Sequence, residues 1–437
     1  MPIGKSRTST GPELFVKKKP REVDPKETRE EIVVIRGEQK KAVVNQPVNP
    51  YIAGASLRSR QGFFGRQDIL NWVASELRNP TTNVLVLFGR RRIGKTSILL
   101  QLERHLPRNA FLPVYFDLQD QASRPLGHVL ADLADAVAER IGMEPPDSAD
   151  FDNEGLFFRR KFLPRLYQVL GKTRRPVFLL DEFDVLEQVA KTERSDTTAA
   201  KAFYRFLRRT IAEDIRPAFV VVVGKQAEEL SRDFITTFRA SLAREIRMLD
   251  WESAELLIRQ AESNGTLCFT DRAVRRILEL TGCYPHLIQL LCQRVWEQAY
   301  ANDNGNGISR SPTIDIPEVE FAAVDSLETG SQALSWLWDD LGLPEQIYIS
   351  ALAEIAEEGE FVSEDRVIQA IISSADWLHT REVELAPRGL VKKRVLEETR
   401  QGHRFAVELF RRWVSQYRPL QEIKDKIDHS ELVAGCV

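Results

Sequence analysis

The chain has 437 residues, 43% of them hydrophobic and 29% charged, with 61 Lys and Arg against 64 Asp and Glu. That length and composition support roughly two to four domains with ordinary cores, and the near balance of charge gives no whole-chain signal for a polyanion partner. No apolar run approaches the roughly 18 residues of a membrane span, and the opening MPIGKSRTST has no apolar core of a secretory signal, so a cytoplasmic protein with no membrane contact is expected. Cys268, Cys283, Cys292 and Cys436 show no paired metal-ligand spacing, and neither zinc nor disulfides are expected.

Residues 1–48 contain Lys17, Lys18 and Lys19, several prolines and enough acids to cancel the lysines, which reads as a flexible arm. Ordered structure begins at 49, and FFGRQDILNWVASEL (63–77) reads as a turn at Gly65 and Arg66 followed by an amphipathic helix. The densest chemistry lies in VLVLFGRRRIGKTSILLQL (84–102). Val84 to Phe88 form a buried strand, Gly89 opens a tight loop that closes at Gly94-Lys95-Thr96-Ser97, and a helix follows. Strand, glycine-bounded loop and helix in that order make a phosphate-binding P-loop. Its backbone N–H groups turn round an anion, Lys95 reaches the β- and γ-phosphates, Thr96 ligates Mg²⁺, and the helix N-terminus adds its dipole. Gly89, Arg92, Ile93, Gly94, Lys95, Thr96 and Ser97 are the candidate nucleotide-binding positions. The side chains of Arg90, Arg91 and Arg92 are expected to project from the loop surface, because three guanidinium groups do not fit round one triphosphate.

FLPVYFDLQ (111–119) is a second strand, with helices over about 125–141 and 156–171. PVFLLDEFDVLE then ends an apolar strand in Asp181 and Glu182. A carboxylate at that tip, facing the P-loop, suits outer-shell Mg²⁺ binding by Asp181, while Glu182 orients and deprotonates the attacking water. AFVVVVGKQ (218–226) is a fourth buried strand whose tip, at Lys225 or Gln226, lies beside the γ-phosphate; Lys225 is the candidate reporter of the bound nucleotide. EIRML (245–249) is expected as the short fifth strand that completes a parallel α/β nucleotide domain over 49–249.

From Asp250 the pattern turns to helices only, with Gly282-Cys283-Tyr284-Pro285 as a stop and restart, giving a helical lid over 250–301. NDNGNG opens a loosely patterned linker over 302–331. Residues 332–420 form a last compact unit with helices near 344–358, 363–374 and 377–386, a hairpin turning at Arg400-Gln401-Gly402, and a closing helix ELFRRWVSQY; a tail follows over 421–437. Three helices and a hairpin have a winged-helix outline. Arg388, Lys392, Lys393, Arg394 and Arg400 make it locally basic, Glu382, Glu384, Glu397 and Glu398 dilute that field, and Pro387 with Gly389 is expected to cut short the helix that would enter a major groove. A protein-contact module is favoured over a DNA reader.

FFGRQDIL, GRRRIGKTS, FLLDEFD and TGCYPHLIQLLC follow one another in the order seen in bacterial and archaeal ATPases of the STAND class, relatives of AAA+ proteins. The chain resembles that class over about residues 49–300, and more weakly to 418. The resemblance implies a P-loop NTPase sheet of order 5-1-4-3-2, Arg66 near the nucleotide base, Pro285 packed on base or ribose from the lid, and a winged helix that closes the nucleotide-bound resting state. In apoptotic and plant-immune members a Met-His-Asp motif on the closing helix brings its His to the β-phosphate. Here Val407 stands at that position, with His403 nearby as a substitute. No sensor-repeat period is legible.

The function so implied is a Mg-dependent ATPase that works as a signalling switch. ATP binding drives opening and self-association, hydrolysis to ADP resets it, and a separate effector or sensor protein is the partner. The alternative is a DNA-handling AAA+ ATPase whose winged helix grips DNA. Intact Lys95, Thr96, Asp181 and Glu182 argue against a degenerate scaffold.

Overall fold

The structure is a computed structural model that describes residues 47–121, 123–183, 185, 199–224, 232–238, 241–301, 311–329 and 331–434. The arm up to residue 46, the NDNGNG segment, and Lys225 with Gln226 lie outside the described residues. Helix α1 spans Gln67–Arg78, and strand β1, Val84–Phe88, leads through the P-loop into α2, Lys95–His105. Then come β2 (Phe111–Asp117), α3 (Leu126–Ile141), α4 (Leu163–Leu170), β3 (Arg175–Asp181), α5 (Ala199–Glu213), β4 (Ala218–Val223), α6 (Arg232–Thr237) and β5 (Leu242–Glu245). The five strands pair in parallel in the order β2-β3-β4-β1-β5.

Side chains alternate across each strand, so an apolar run splits between two faces. Leu85, Leu87, Val177, Leu179, Val220 and Val222 enter one core with α1 and α2, whereas Val84, Val86, Phe178, Leu180, Phe219 and Val221 enter a second with α3, α4 and α5. Strand β5 pairs three residues earlier than EIRML predicts. It is an edge strand, so Leu242–Glu245 needs no buried pattern, and the apolar residues after it serve other contacts: Ile246 N–H bonds the Phe88 carbonyl at 2.7 Å, and Leu249 N–H bonds the Cys283 carbonyl at 3.2 Å.

The lid consists of α7 (Trp251–Ile258), α8 (Gln260–Ser263), α9 (Asp271–Thr281) and α10 (Pro285–Ala301). It is not purely helical, because β6 (Cys268–Phe269) pairs in parallel with β7 (Thr313–Ile314). The loosely patterned stretch expected up to 331 is instead helix α11, Ile316–Thr329. Val319, Ala322, Ala323, Ser326 and Leu327 bury its inner face, while Phe321 and Val324 stay exposed, so small buried and large exposed residues blur the apolar periodicity.

A cap follows: α12 (Ser331–Asp339), α13 (Leu343–Ile355), α14 (Glu364–Ser374), α15 (Arg381–Lys392), the hairpin β8 (Leu396–Thr399) and β9 (Gly402–Phe405), α16 (Glu408–Tyr417) and α17 (Leu420–Ala434). Helix α17 occupies most of the expected tail. Helix α15 runs straight through Pro387, contrary to the break expected there. Proline costs roughly 3 kcal/mol in a helix interior, but Val383, Ala386, Pro387 and Leu390 form one buried stripe that offsets it, and Thr380 caps the start by accepting from Val383 N–H.

The first core is continuous from Tyr51 through the sheet and lid to Ile423. Lid and cap are also joined by a ring of alternating charges: Arg276 contacts Glu320 and Glu358, and Arg412 reaches the same two carboxylates at 2.8 and 3.0 Å. The Arg276 contact holds Glu358 down at about 2. Since that value is depressed, the ring's contribution is full above the ordinary glutamate range and is lost only as pH falls towards 2. No helix among the described residues is long and apolar enough to cross a membrane.

Candidate nucleotide site

The loop between β1 and α2 owes its shape to two glycines with different reasons. At Gly89 a Cβ would lie 2.7 Å from the Ile246 carbonyl, and the Gly89 N–H is taken by Val223 at 3.1 Å, so this glycine fits the strand ends together and does not face an anion. Gly94 has φ 96°, and a Cβ there would meet nothing within 4 Å. A positive φ at this position is one that glycine adopts without strain. Lys95 Nζ donates to the Arg90 carbonyl at 3.0 Å. Thr96 lies in the first turn of α2 and is half-buried, while Ile93 is a core residue. Ser97 turns away: it is 7% exposed, and its Oγ accepts from Leu57 N–H at 3.0 Å.

That contact belongs to a strap. Ile52 and Ala53 N–H donate to Gln289 and Gln293 of α10 at 3.0 and 3.2 Å, and Gln101 of α2 donates to the Leu57 and Ser59 carbonyls at 3.1 and 2.8 Å. Residues 52–59 therefore run from lid to P-loop helix, held at both ends by side-chain amides. Nothing in the local pattern of that segment foretells it, since its partners lie up to 240 residues away.

At the tip of β3, Asp181 is 1% exposed. Its Oδ1 accepts from Glu182 N–H and its Oδ2 from the Tyr115 phenol, both at 3.0 Å. Burial, and then the Asp181 charge, push the Tyr115 phenol well above its usual range, so it stays the donor. Among the described residues no group of three or more His, Cys, Asp or Glu could cage a metal. Thr96 and Asp181 each offer a hard oxygen donor, and Mg²⁺ ordinarily takes one or two protein oxygens with phosphate and water filling the rest. The residues present therefore fit it.

The three loop arginines do not share one fate. Arg90 is not at the surface: its side chain is 13% exposed, Nη1 donates to the Lys393 carbonyl at 2.6 Å, and Nη2 lies 3.7 Å from Asp340. Arg91 is exposed, but its carbonyl accepts from the Tyr284 phenol at 2.7 Å. Arg92 sends its guanidinium outward to His286 Nε2 at 3.0 Å and over the Trp336 ring at 5.7 Å. Burial, with Arg92 beside it, holds His286 down at about 4, so at neutral pH Nε2 is a free acceptor for Arg92. Tyr284 is fully buried and packs on Trp336 with centroids 5.1 Å apart. It stands inside the lid motif TGCYPH, where a tyrosine at a helix restart was the available signal.

Arg66 caps α1 and donates to the Met248 and Ile93 carbonyls, each at 3.4 Å, and burial lowers its guanidinium to about 10. Pro285 opens α10 as expected and is half-buried. Val407 packs on the lid turn, since a Cβ at Gly282 would sit 3.0 Å from Val407 Cγ2 and run into the Ala406 carbonyl. His403 does not replace the missing latch; it is buried inside the cap, 3.2 Å from the Tyr348 hydroxyl and 3.8 Å from Glu364.

A cleft of about 1860 Å³ separates sheet and cap, with Arg66, Gly89 and Arg90 on one wall and Lys393, Arg394 and Val407 on the other. Lys95, Thr96 and Asp181 do not line it. Among the described residues the non-glycine residues with positive φ are Arg66, Arg92, Glu182, Cys283 and Arg394. Each such backbone costs on the order of 1 kcal/mol, and such strain gathers where a site demands it. Three of them, Arg66, Cys283 and Arg394, line this cleft, whereas Arg92 lies in the P-loop and Glu182 directly follows β3.

No protein-family model matches the chain, and no curated protein does. Among solved structures, a Walker-type ATPase of Pyrococcus abyssi aligns with a TM-score of 0.56 and 12% identity over 82% of this chain and 98% of its own. The chain has a P-loop ATPase fold. The RuvB Holliday junction branch migration motor of Thermotoga maritima (TM-score 0.42, 14% identity, 80% of this chain and 94% of that one) and the ORC2 protein of Aeropyrum pernix (0.42, 14%, 84% and 96%) also align. At these identities the P-loop likeness is one of fold.

Proposed function

We propose that the chain is a STAND-type molecular switch, a Mg-dependent ATPase whose nucleotide state controls opening, self-association and engagement of a separate effector or sensor protein. One arrangement supports it: consecutive loop residues are each tied to a body outside the sheet, Arg90 to the cap, Arg91 to the lid, and Arg92 to lid and cap together. Lys95 must leave the Arg90 carbonyl to reach a phosphate. That exchange acts on the same residue whose side chain holds the Lys393 carbonyl. Binding thus has a differential effect on closed and open states, the condition for any ligand-driven shift. Lys95 grips the β- and γ-phosphates, Glu182 receives a proton from the attacking water, and Thr96 and Asp181 hold Mg²⁺, which when bound offsets phosphate charge. The domains so read are the nucleotide domain 49–249, the lid 250–301, and a winged-helix cap.

Because the core is shared by sheet, lid and cap, deleting the cap would expose apolar surface and test little. Arg90→Ala is the cleaner change. It removes a charge-assisted bond of about 1.5–3 kcal/mol, so release of fluorescent ADP in a stopped-flow chase should quicken roughly 10- to 100-fold, with elution in ATP shifting towards larger species. Release and elution identical to the parent protein would end this reading.

One observation favours DNA handling as a second reading. Helix α15 is unbroken and exposes Arg381, Leu385, Arg388 and Lys392 at helical spacing along one face. If about three phosphates are engaged there, duplex affinity should fall roughly fortyfold between 50 and 200 mM salt, and Arg388→Glu should flatten that slope. Binding insensitive to salt, or none at 50 mM, would leave the switch alone.

A further inference from the structure

The register of β2 on β3 sets Asp117 opposite Asp181 and Tyr115 opposite Leu179. From that position, two residues short of the strand end, the Tyr115 ring packs partly buried against the first core, and its hydroxyl reaches Asp181 Oδ2 at 3.0 Å. Glu182 N–H holds the other oxygen, also at 3.0 Å, and Leu118 N–H bonds the Asp181 main-chain carbonyl at 3.2 Å. A carboxylate can accept about four hydrogen bonds, two per oxygen. Here each oxygen has one fixed donor, so the plane of the group is set while acceptor capacity remains on both.

We infer that Tyr115 is a positioning residue that fixes the Asp181 carboxylate for the divalent cation carried with the nucleotide. The inference rests on the reading of Asp181 given above and adds a residue to it. The Glu182 bond comes from the next residue of the same chain segment, and the phenol adds a second restraint on the carboxylate from the neighbouring strand. Tyr115 also joins the sheet edge to the site: β2 is the edge strand paired with β3, and the phenol adds a side-chain bond to the carboxylate beside the main-chain ladder.

Binding of a fluorescent ATP analogue is to be measured in EDTA and across a Mg²⁺ titration, using the full chain with Tyr115→Phe, Asp181→Asn, and both together. Tyr115→Phe should bind the analogue in EDTA as the parent does, yet require roughly 10- to 100-fold more Mg²⁺ to reach half of the metal-dependent gain, the range seen when an outer partner of a metal ligand is removed. In the Asp181→Asn background the same change should have no further effect. A merely structural hydroxyl would lower the unfolding temperature and leave the Mg²⁺ midpoint where it was, and that result overturns the proposal. Should Tyr115→Phe fold poorly, Tyr115→Leu lacks the same hydroxyl and must show the same Mg²⁺ shift. If instead Asp181→Asn keeps the parent's Mg²⁺ response, the assignment of Asp181 itself has failed, which the titration distinguishes from failure of Tyr115 alone.

Discussion

Lys95→Ala is expected to lose ATP binding while keeping the fold. Two charge-assisted contacts disappear, each about 1.5–3 kcal/mol, so affinity should drop roughly 10²- to 10⁴-fold. In the structure the Lys95 ammonium donates to the Arg90 carbonyl at 3.0 Å, a bond inside its own loop. Titration calorimetry with ATP reads the loss directly, with the unfolding temperature as control. Binding within tenfold of the parent protein would remove Lys95 from the phosphate contacts and the loop from its assigned role.

Glu182→Gln should have the opposite profile, retaining Mg·ATP binding and slowing hydrolysis by roughly 10²- to 10⁴-fold, the contribution of a positioned general base. The amide is nearly isosteric, and the positive φ of 51° at this residue is no worse for glutamine than for glutamate, so the strand tip should keep its geometry. Single-turnover hydrolysis compared with nucleotide affinity separates the two quantities. Unchanged turnover would pass the proton-accepting role to another group, and a parallel loss of affinity would mean that Glu182 supports the loop.

What could be read from the residues alone was whatever depends on near neighbours. Strand, loop and helix at 84–105 follow from local pattern, as does the Asp181 and Glu182 pair at a strand end, and both stand where they were expected. The failures have a common physical source. Gly89 reads as one end of an anion loop, but its need for a missing Cβ comes from Ile246, a residue just past β5 that no local pattern brings near. The Ser97 hydroxyl accepts from a strap that only the fold brings near. Arg90 was expected in solvent, and a cap 300 residues away covers it. Pro387 reads as a helix breaker by its own chemistry, and tertiary burial of the stripe around it decides otherwise. Tyr115 had no signal, since its importance lies in inter-strand register, which no local periodicity encodes.

The ring of Arg276, Glu320, Arg412 and Glu358 has a mechanical meaning. Each arginine is shared by two carboxylates and each carboxylate by two arginines, so breaking one contact leaves every member still held. The seam between lid and cap is therefore cross-braced. On the proposed reading, a movement that starts at the P-loop would carry the two as one body.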